Sequence, residues 1–268
     1  MDDAQYGPHR FSGGGEETDA YRGAAFRVAD LRGARFTDCD LSGVKIVDGC
    51  LVDVDISGYV ERLLVNGVDV TEYVDAELDR RHPERVQLRE IQDADGFRAM
   101  WDTVERLWSD AIARAGRLPA SARNERVDGE WSFAETLRHL VFIVDAWLSR
   151  PVLDQERPYH PLGVIQSWYA DQDAVALGID LGATPAYDEV LRVFADRMAL
   201  VRRTVDALTN ADLGRITKRN PAPGYPDEPL AVAECLAVLM EEACEHHRFA
   251  TRDLTALEAR SRRSGGGG

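Results

Sequence analysis

Residues 24–56 read AAFRVADLRGARFTDCDLSGVKIVDGCLVDVDI, and a bulky apolar residue falls in every fifth place: Phe26, Leu31, Phe36, Leu41, Ile46, Leu51 and Ile56, with Tyr21 in phase one step earlier. Two places before each of the seven stands a small or modest residue: Ala24, Ala29, Ala34, Cys39, Val44, Gly49 and Val54. A period of five suits neither the turn of a helix nor the alternation of a strand, so no single amphipathic element can bury the pattern. Self-similarity at a fixed period implies stacked coils, each burying its apolar residue against the next.

The steps Ala29-Asp30-Leu31-Arg32-Gly33 and Cys39-Asp40-Leu41-Ser42-Gly43 resemble the A-(D/N)-L-x-x unit of the pentapeptide-repeat family, whereas residues 44–48 and 54–58 are degenerate versions of it. The resemblance implies a short right-handed quadrilateral β-helix with the large and the small residue pointing inward. Eight steps make only about two coils, and a solenoid with nearest-neighbour contacts needs several stacked units to stand alone. The module is therefore expected to lean on something else. Long acidic rods of this family mimic duplex DNA and occupy gyrase, but a stub roughly 10 Å long offers far less than the roughly 800 Å² per partner of a stable interface. An acidic DNA mimic is accordingly the remotest reading.

With 268 residues, 44% of them hydrophobic, the chain can bury one sizeable core plus an appendage. A net charge of −15 gives no help toward nucleic acid or an anionic membrane, so neither is expected as a partner. Only Lys45 and Lys218 among the 32 basic residues are lysine, which with abundant Ala, Asp and Gly suggests a GC-rich genome. Cys39, Cys50, Cys235 and Cys244 lack C-x-x-C spacing, and the first two fall on inward or near-inward repeat positions where they read as small core residues, so a reduced, cytoplasmic protein is expected. No apolar stretch approaches the roughly 18 residues of a membrane span, and the first residues are acidic and Gly-rich rather than basic then apolar.

The expected organisation is a disordered tail over 1–18, the repeat over 19–58, a hairpin cap and linker over 59–92, an all-α domain over 93–258 and a second disordered tail over 259–268. Asn66-Gly67 between two short β-prone runs predicts the hairpin. Residues 71–81 predict a short helix stopped before Pro83, and 84–91 a link onward. Four helical patterns follow. Phe97, Trp101, Val104, Trp108, Ala111 and Ala115 line the first, which stops at Gly116. Ser132 with Glu135 forms a capping box for the second, carrying Leu137, Leu140, Val144 and Trp147 before Pro151. Thr184-Pro185 opens the third, with Val190, Phe194, Met198, Val201 and Val205 along its face. Residues 230–258 make the fourth. An antiparallel four-helix bundle is the architecture that accommodates them. The long connection 150–182 is expected to carry function or an extra short helix over 164–173.

His9 and His82 fall in the tail and linker, where a solvated histidine is expected. His139 sits between Leu137 and Leu140 inside the second helix, and Glu242 and His246 share a face of the fourth at a spacing of four. A carboxylate and two imidazoles from facing helices can grip one divalent ion and leave positions open for water or substrate. A hydrogen-bonded core histidine beside a surface acid is the plainer alternative.

Trp131 to Leu140 and Glu242 to Leu254 resemble the second and last helices of the DinB-like (YfiT-like) superfamily. That superfamily is a four-helix bundle with a metal triad of one histidine on the second helix and two residues four apart on the last. The resemblance implies that His139, Glu242 and His246 hold a divalent metal, zinc or nickel foremost, with His247 in reserve. Many members carry His-x-x-x-His, and the register ending at His247 meets Ala243 instead. Catalytic members bind a low-molecular-weight thiol such as mycothiol or bacillithiol and transfer it to an electrophile or use it in isomerisation. A thiol S-transferase or isomerase is therefore expected, with a non-catalytic metal- or ligand-binding bundle as the alternative. Arg138, Tyr159, Trp168 and Arg248 are the candidates for substrate contact; no catalytic acid or base can be assigned, and oligomeric state stays open, a dimer included.

Overall fold

The computed structural model describes residues 21–37, 39–166, 169–223, 225 and 228–265, so the expected tail over 1–18 lies outside the described residues. The chain divides into two compact units, Met1–Leu78 and Asp79–Gly268.

In the first unit the five-residue pattern appears as a ten-residue rhythm of turns. The amides of Ala24, Ala34 and Val44 donate to the carbonyls of Tyr21, Leu31 and Leu41 at 2.9, 3.0 and 3.1 Å. Gly33 and Gly43, the third residues of two of these turns, have φ of 77° and 75°, where a side chain would be strained. Asp30 and Asp40 brace the same turns by accepting from the amides of Arg32 and Ser42 at 3.1 and 2.9 Å. Among the described residues no strand forms between 21 and 58. The bulky residues expected to be buried are not: Phe26, Phe36 and Ile46 are 61%, 63% and 63% exposed. Each coil of a solenoid is buried by its neighbours, and two coils supply almost none.

The hairpin forms where Asn66-Gly67 predicts it: β1 (Leu64–Val65) pairs antiparallel with β2 (Val68–Asp69), and the two turn residues take φ of 49° and 81°. α1 (Thr71–Arg81) follows and ends on two arginines, which complement the helix dipole. The stretch expected only to link onward is a helix, α2 (Pro83–Arg89), because Pro83 occupies its first turn where no amide is needed.

α3 (Ala94–Gly116) is capped by Asp93, which accepts from the Gly96 amide, and its predicted apolar face is buried throughout. α4 (Phe133–Val144) has both bonds of the predicted capping box. A short helix the pattern placed near 164 forms instead as α5 (Asp171–Leu177), ended by Gly178 in the left-handed conformation. α6 (Tyr187–Ala207) starts later than Thr184-Pro185 suggests; Ala186 at its cap makes no side-chain bond, and Asp188 and Glu189 serve the first turn electrostatically. α7 (Asn210–Leu213) is one turn, and α8 (Val232–Gly265) runs past Glu258. Good helix formers and the Arg260–Glu125 ion pair at 2.7 Å carry that extension. α3 packs against α6 and α8, and α4 packs against the same two, so four long helices close around one core. No helix among the described residues is long and apolar enough to cross a membrane.

After Val144 the helix widens into a π-turn over Asp145–Ser149. Asp145 is fully buried, and its carboxylate accepts from Arg197 Nε of α6 at 2.6 Å and from the His160 amide at 2.9 Å. Burial raises its pKa to about 6, although Arg197 pulls the other way. A carboxyl raised in this way holds its proton more tightly folded than unfolded. Its contribution to stability is complete below the ordinary aspartate value of about 4 and is lost as pH rises toward about 6, a change of roughly 3 kcal/mol. The stability of wild type minus that of Asp145→Asn, measured by denaturant unfolding, should therefore shrink as pH rises across this window. A gap that widens would show that attraction to Arg197 outweighs burial.

Candidate metal centre

The capping box sets the start of α4, and seven residues after the Ser132 cap His139 points into the core at 1% exposure. Its Nδ1 lies 2.9 Å from the Val164 carbonyl oxygen. A carbonyl only accepts, so Nδ1 carries the hydrogen and Nε2 presents its lone pair. On α8, Glu242 and His246 are one turn apart, and Glu242 Oε2 is 3.0 Å from His246 Nε2 and 3.5 Å from His139 Nε2. One donor atom from each of the three residues lies within 4.8 Å of the others.

Glu242 is 1% exposed, yet neither carboxylate oxygen has a hydrogen-bond partner. Burial opposes its ionisation, and the two neighbouring imidazoles outweigh burial and keep the carboxyl below the usual carboxylate range. Burial, then the neighbouring His246, pushes His139 down, which keeps its ring neutral at neutral pH. An ionised, buried carboxylate facing an imidazole lone pair is costly unless a cation joins them. The donor set of two nitrogens and one oxygen suits a borderline divalent ion. These residues fit such an ion, and the Val164 carbonyl is the outer partner that fixes the ligating tautomer.

Trp131, immediately before the cap, lies across both imidazoles: its ring centroid is 4.5 Å from that of His139 and 5.7 Å from that of His246, onto which it stacks. Phe249 meets His246 edge-on at 6.2 Å. His246 is the most accessible of the three at 14% exposed. An aromatic wall over a partly open group of candidate ligands excludes bulk water while leaving an approach for a small molecule.

The other expected contacts are dispersed. His247 turns away from the triad, and its ring meets Trp108 of α3 edge-on at 5.7 Å. Ala243, the residue of the alternative register, also faces α3, its carbonyl accepting from Trp108 Nε1 at 3.0 Å. Arg138 is spent on the Leu162 and Ala183 carbonyls at 2.8 and 3.2 Å. Arg248 pairs with Glu245 and lies over the Phe249 ring at 4.6 Å. Tyr159 is buried, stacks on Phe142 beside His139 and donates to the Pro221 carbonyl at 2.8 Å. Trp168 lies outside the described residues. His82, expected to be solvated, is only about a quarter exposed, with Nδ1 3.3 Å from buried Glu84, because α2 packs against α8 there. The Val164 carbonyl had no side-chain signal in the sequence, and Phe249 looked like any helix residue.

The sequence matches the family model of the DinB superfamily over residues 103–250, which include His139, Glu242 and His246. It matches pentapeptide repeats, in eight copies, over residues 22–58. No curated protein matches the chain. Among solved structures it is similar to the crystal structure of a protein from Streptococcus pneumoniae, at 14% identity and a TM-score of 0.43, over 66% of this chain and 97% of that one. With the first of these models spanning more than half of its length, the chain belongs to the DinB superfamily and carries a run of pentapeptide repeats ahead of the family's domain.

Proposed function

We propose that this chain is a metal-dependent enzyme that uses a low-molecular-weight thiol, as a thiol S-transferase or an isomerase. The observation that supports it is the buried group of His139, Glu242 and His246, with Glu242 unpaired by hydrogen bonds and the set bordered by Trp131 and Phe249. A divalent ion bound there, zinc or nickel in this reading, supplies stabilisation of a thiolate at neutral pH, so no protein base is needed to generate the nucleophile. The residues themselves do the rest. Val164 holds the His139 ring, Trp131 and Phe249 shield the sulfur from water, and His246 lies at the accessible edge where a second reactant arrives. The electrophile and the thiol, mycothiol or bacillithiol among the candidates, are small molecules in this proposal.

A second reading, a non-catalytic metal- or ligand-binding bundle, draws support from Glu242 itself. A carboxylate in place of a second α8 imidazole makes the centre more anionic and a weaker Lewis acid. Cobalt-substituted protein distinguishes the two. Addition of mycothiol, bacillithiol, glutathione or cysteine should produce sulfur-to-metal charge-transfer absorption, selectively with one bulky thiol, and the response should vanish in His139→Ala. No change with any thiol, in protein holding one cobalt per chain, would leave the binding module ahead.

We also propose that residues 21–58 wind as a short right-handed quadrilateral β-helix, which the ten-residue spacing of the Gly-containing turns supports. A cytoplasmic location is proposed from the four cysteines, all of them free.

A further inference from the structure

A cavity of about 260 Å³ in the second unit lies between residues 150–159, α5 and residues 219–223. Three arginines, Arg150, Arg157 and Arg219, line it, in a chain whose net charge is −15. Glu156 and Asp173 line it as well, so the lining carries one more positive charge than negative. Among the described residues Arg150 donates to neutral oxygens: the Asn220 carbonyl at 2.9 Å, the Glu156 carbonyl at 2.6 Å and Asn220 Oδ1 at 3.3 Å. Arg157 donates to the Ala176 carbonyl, again neutral. Arg219 meets Asp154 at 2.9 Å, but Asp154 also serves Lys218 at 3.0 Å, so one carboxylate is shared between two cations. Each guanidinium has five N–H donors, and Arg157 and Arg219 each use one in these bonds.

A guanidinium held by backbone carbonyls is often only a staple between segments. Three converging on one concavity make a different case, because a low-dielectric recess concentrates their field where a ligand would sit. Planar forks of donors match planar oxyanions. The remaining wall sets the limit on charge and shape. Glu156 and Asp173 also line the cavity and oppose a second negative charge. Tyr159, whose hydroxyl is committed to Pro221, and Leu177 supply apolar surface. The volume equals that of roughly nine waters, which is the size of an amino acid or a benzoate.

We propose that this cavity binds a small monocarboxylate with an apolar or zwitterionic body, at a site separate from the metal group, none of whose three residues lines it. The site does not depend on the thiol chemistry.

The probe is 4-fluorobenzoate, followed by fluorine NMR in the full-length protein. Saturable binding in the millimolar range is expected, weakened about tenfold by Arg157→Gln and again by Arg219→Gln, as befits the loss of one charge-assisted contact each. Acetate should compete better than inorganic phosphate, whose second charge meets Glu156 and Asp173, and neutral 4-fluorobenzamide should not bind. Affinity should be unchanged in His139→Ala, which separates this cavity from carboxylate ligation to a metal. Absence of saturation, affinity indifferent to both arginine substitutions, equal binding of the benzamide, or phosphate competing better than acetate would each overturn the proposal. So would loss of binding in a folded His139→Ala.

Discussion

His139→Ala is expected to lose its divalent ion, with affinity falling by about a hundredfold or more, since even a partner one step outside the ligands costs about ten- to a hundredfold. His139 is one of only three donors in the group, and its ring is pre-set by the Val164 carbonyl, so nothing nearby replaces it. His247→Ala should keep the ion, because that ring packs against Trp108 on the far side of α8. Metal content after dialysis, with zinc titration calorimetry on each variant, tests both. Equal metal in wild type and His139→Ala would exclude His139 as a ligand. Loss in His247→Ala but not in His246→Ala would show that the α8 register is the other one. The ion should also stabilise the fold by mass action. At about a thousand times the dissociation constant it adds about 4 kcal/mol, or roughly 8–16 °C in melting temperature for a domain of this size. Glu242→Gln, which keeps the shape and removes the anionic ligand, should lose most of that shift.

Trp108→Ala is expected to be the most damaging single change to the helical domain. Trp108 is 1% exposed, touches Phe133 of α4 and Phe194 of α6, and donates from Nε1 to the Ala243 carbonyl of α8. It thus ties α3 to all three of the other long helices. Removing a buried tryptophan costs about 3–5 kcal/mol, and loss of the indole hydrogen bond adds about 1 kcal/mol more. A fall in melting temperature of roughly 10–20 °C follows. Trp108→Phe should recover most of the packing but not the hydrogen bond. Denaturant unfolding measures both, and a cost below about 2 kcal/mol for Trp108→Ala would contradict this packing role.

The helical half was legible because its signals are local and repeated. Phe97, Trp101, Val104 and Trp108 recur at helical spacing, and Ser132 with Glu135 announces a helix start. Where signals competed, the reading slipped. α1 stops before Pro83 as read, but Pro83 also opens α2 where only a link was expected. Thr184 looked like a cap, and α6 begins only at Tyr187. The repeat was legible as a period, but its apolar residues stay exposed, since burial depends on how many coils stack and not on the pattern within one.

The residue types able to hold a metal, and the pairing of Glu242 with His246, follow from the sequence alone, because a spacing of four on a helix puts two side chains on one face whatever surrounds them. Which face of α8 meets α4 does not. Spacing left His246 and His247 as rivals, and only packing turned the first toward His139 and the second toward Trp108. The tautomer of His139 was equally invisible, since it is set by a backbone carbonyl that any residue at position 164 would supply. The ring of Trp131 over the two imidazoles, and the arginines gathered from residues 150, 157 and 219, depend on segments far apart in the chain meeting in space. Local chemistry is written in the order of the residues; convergence is decided by the way the helices pack.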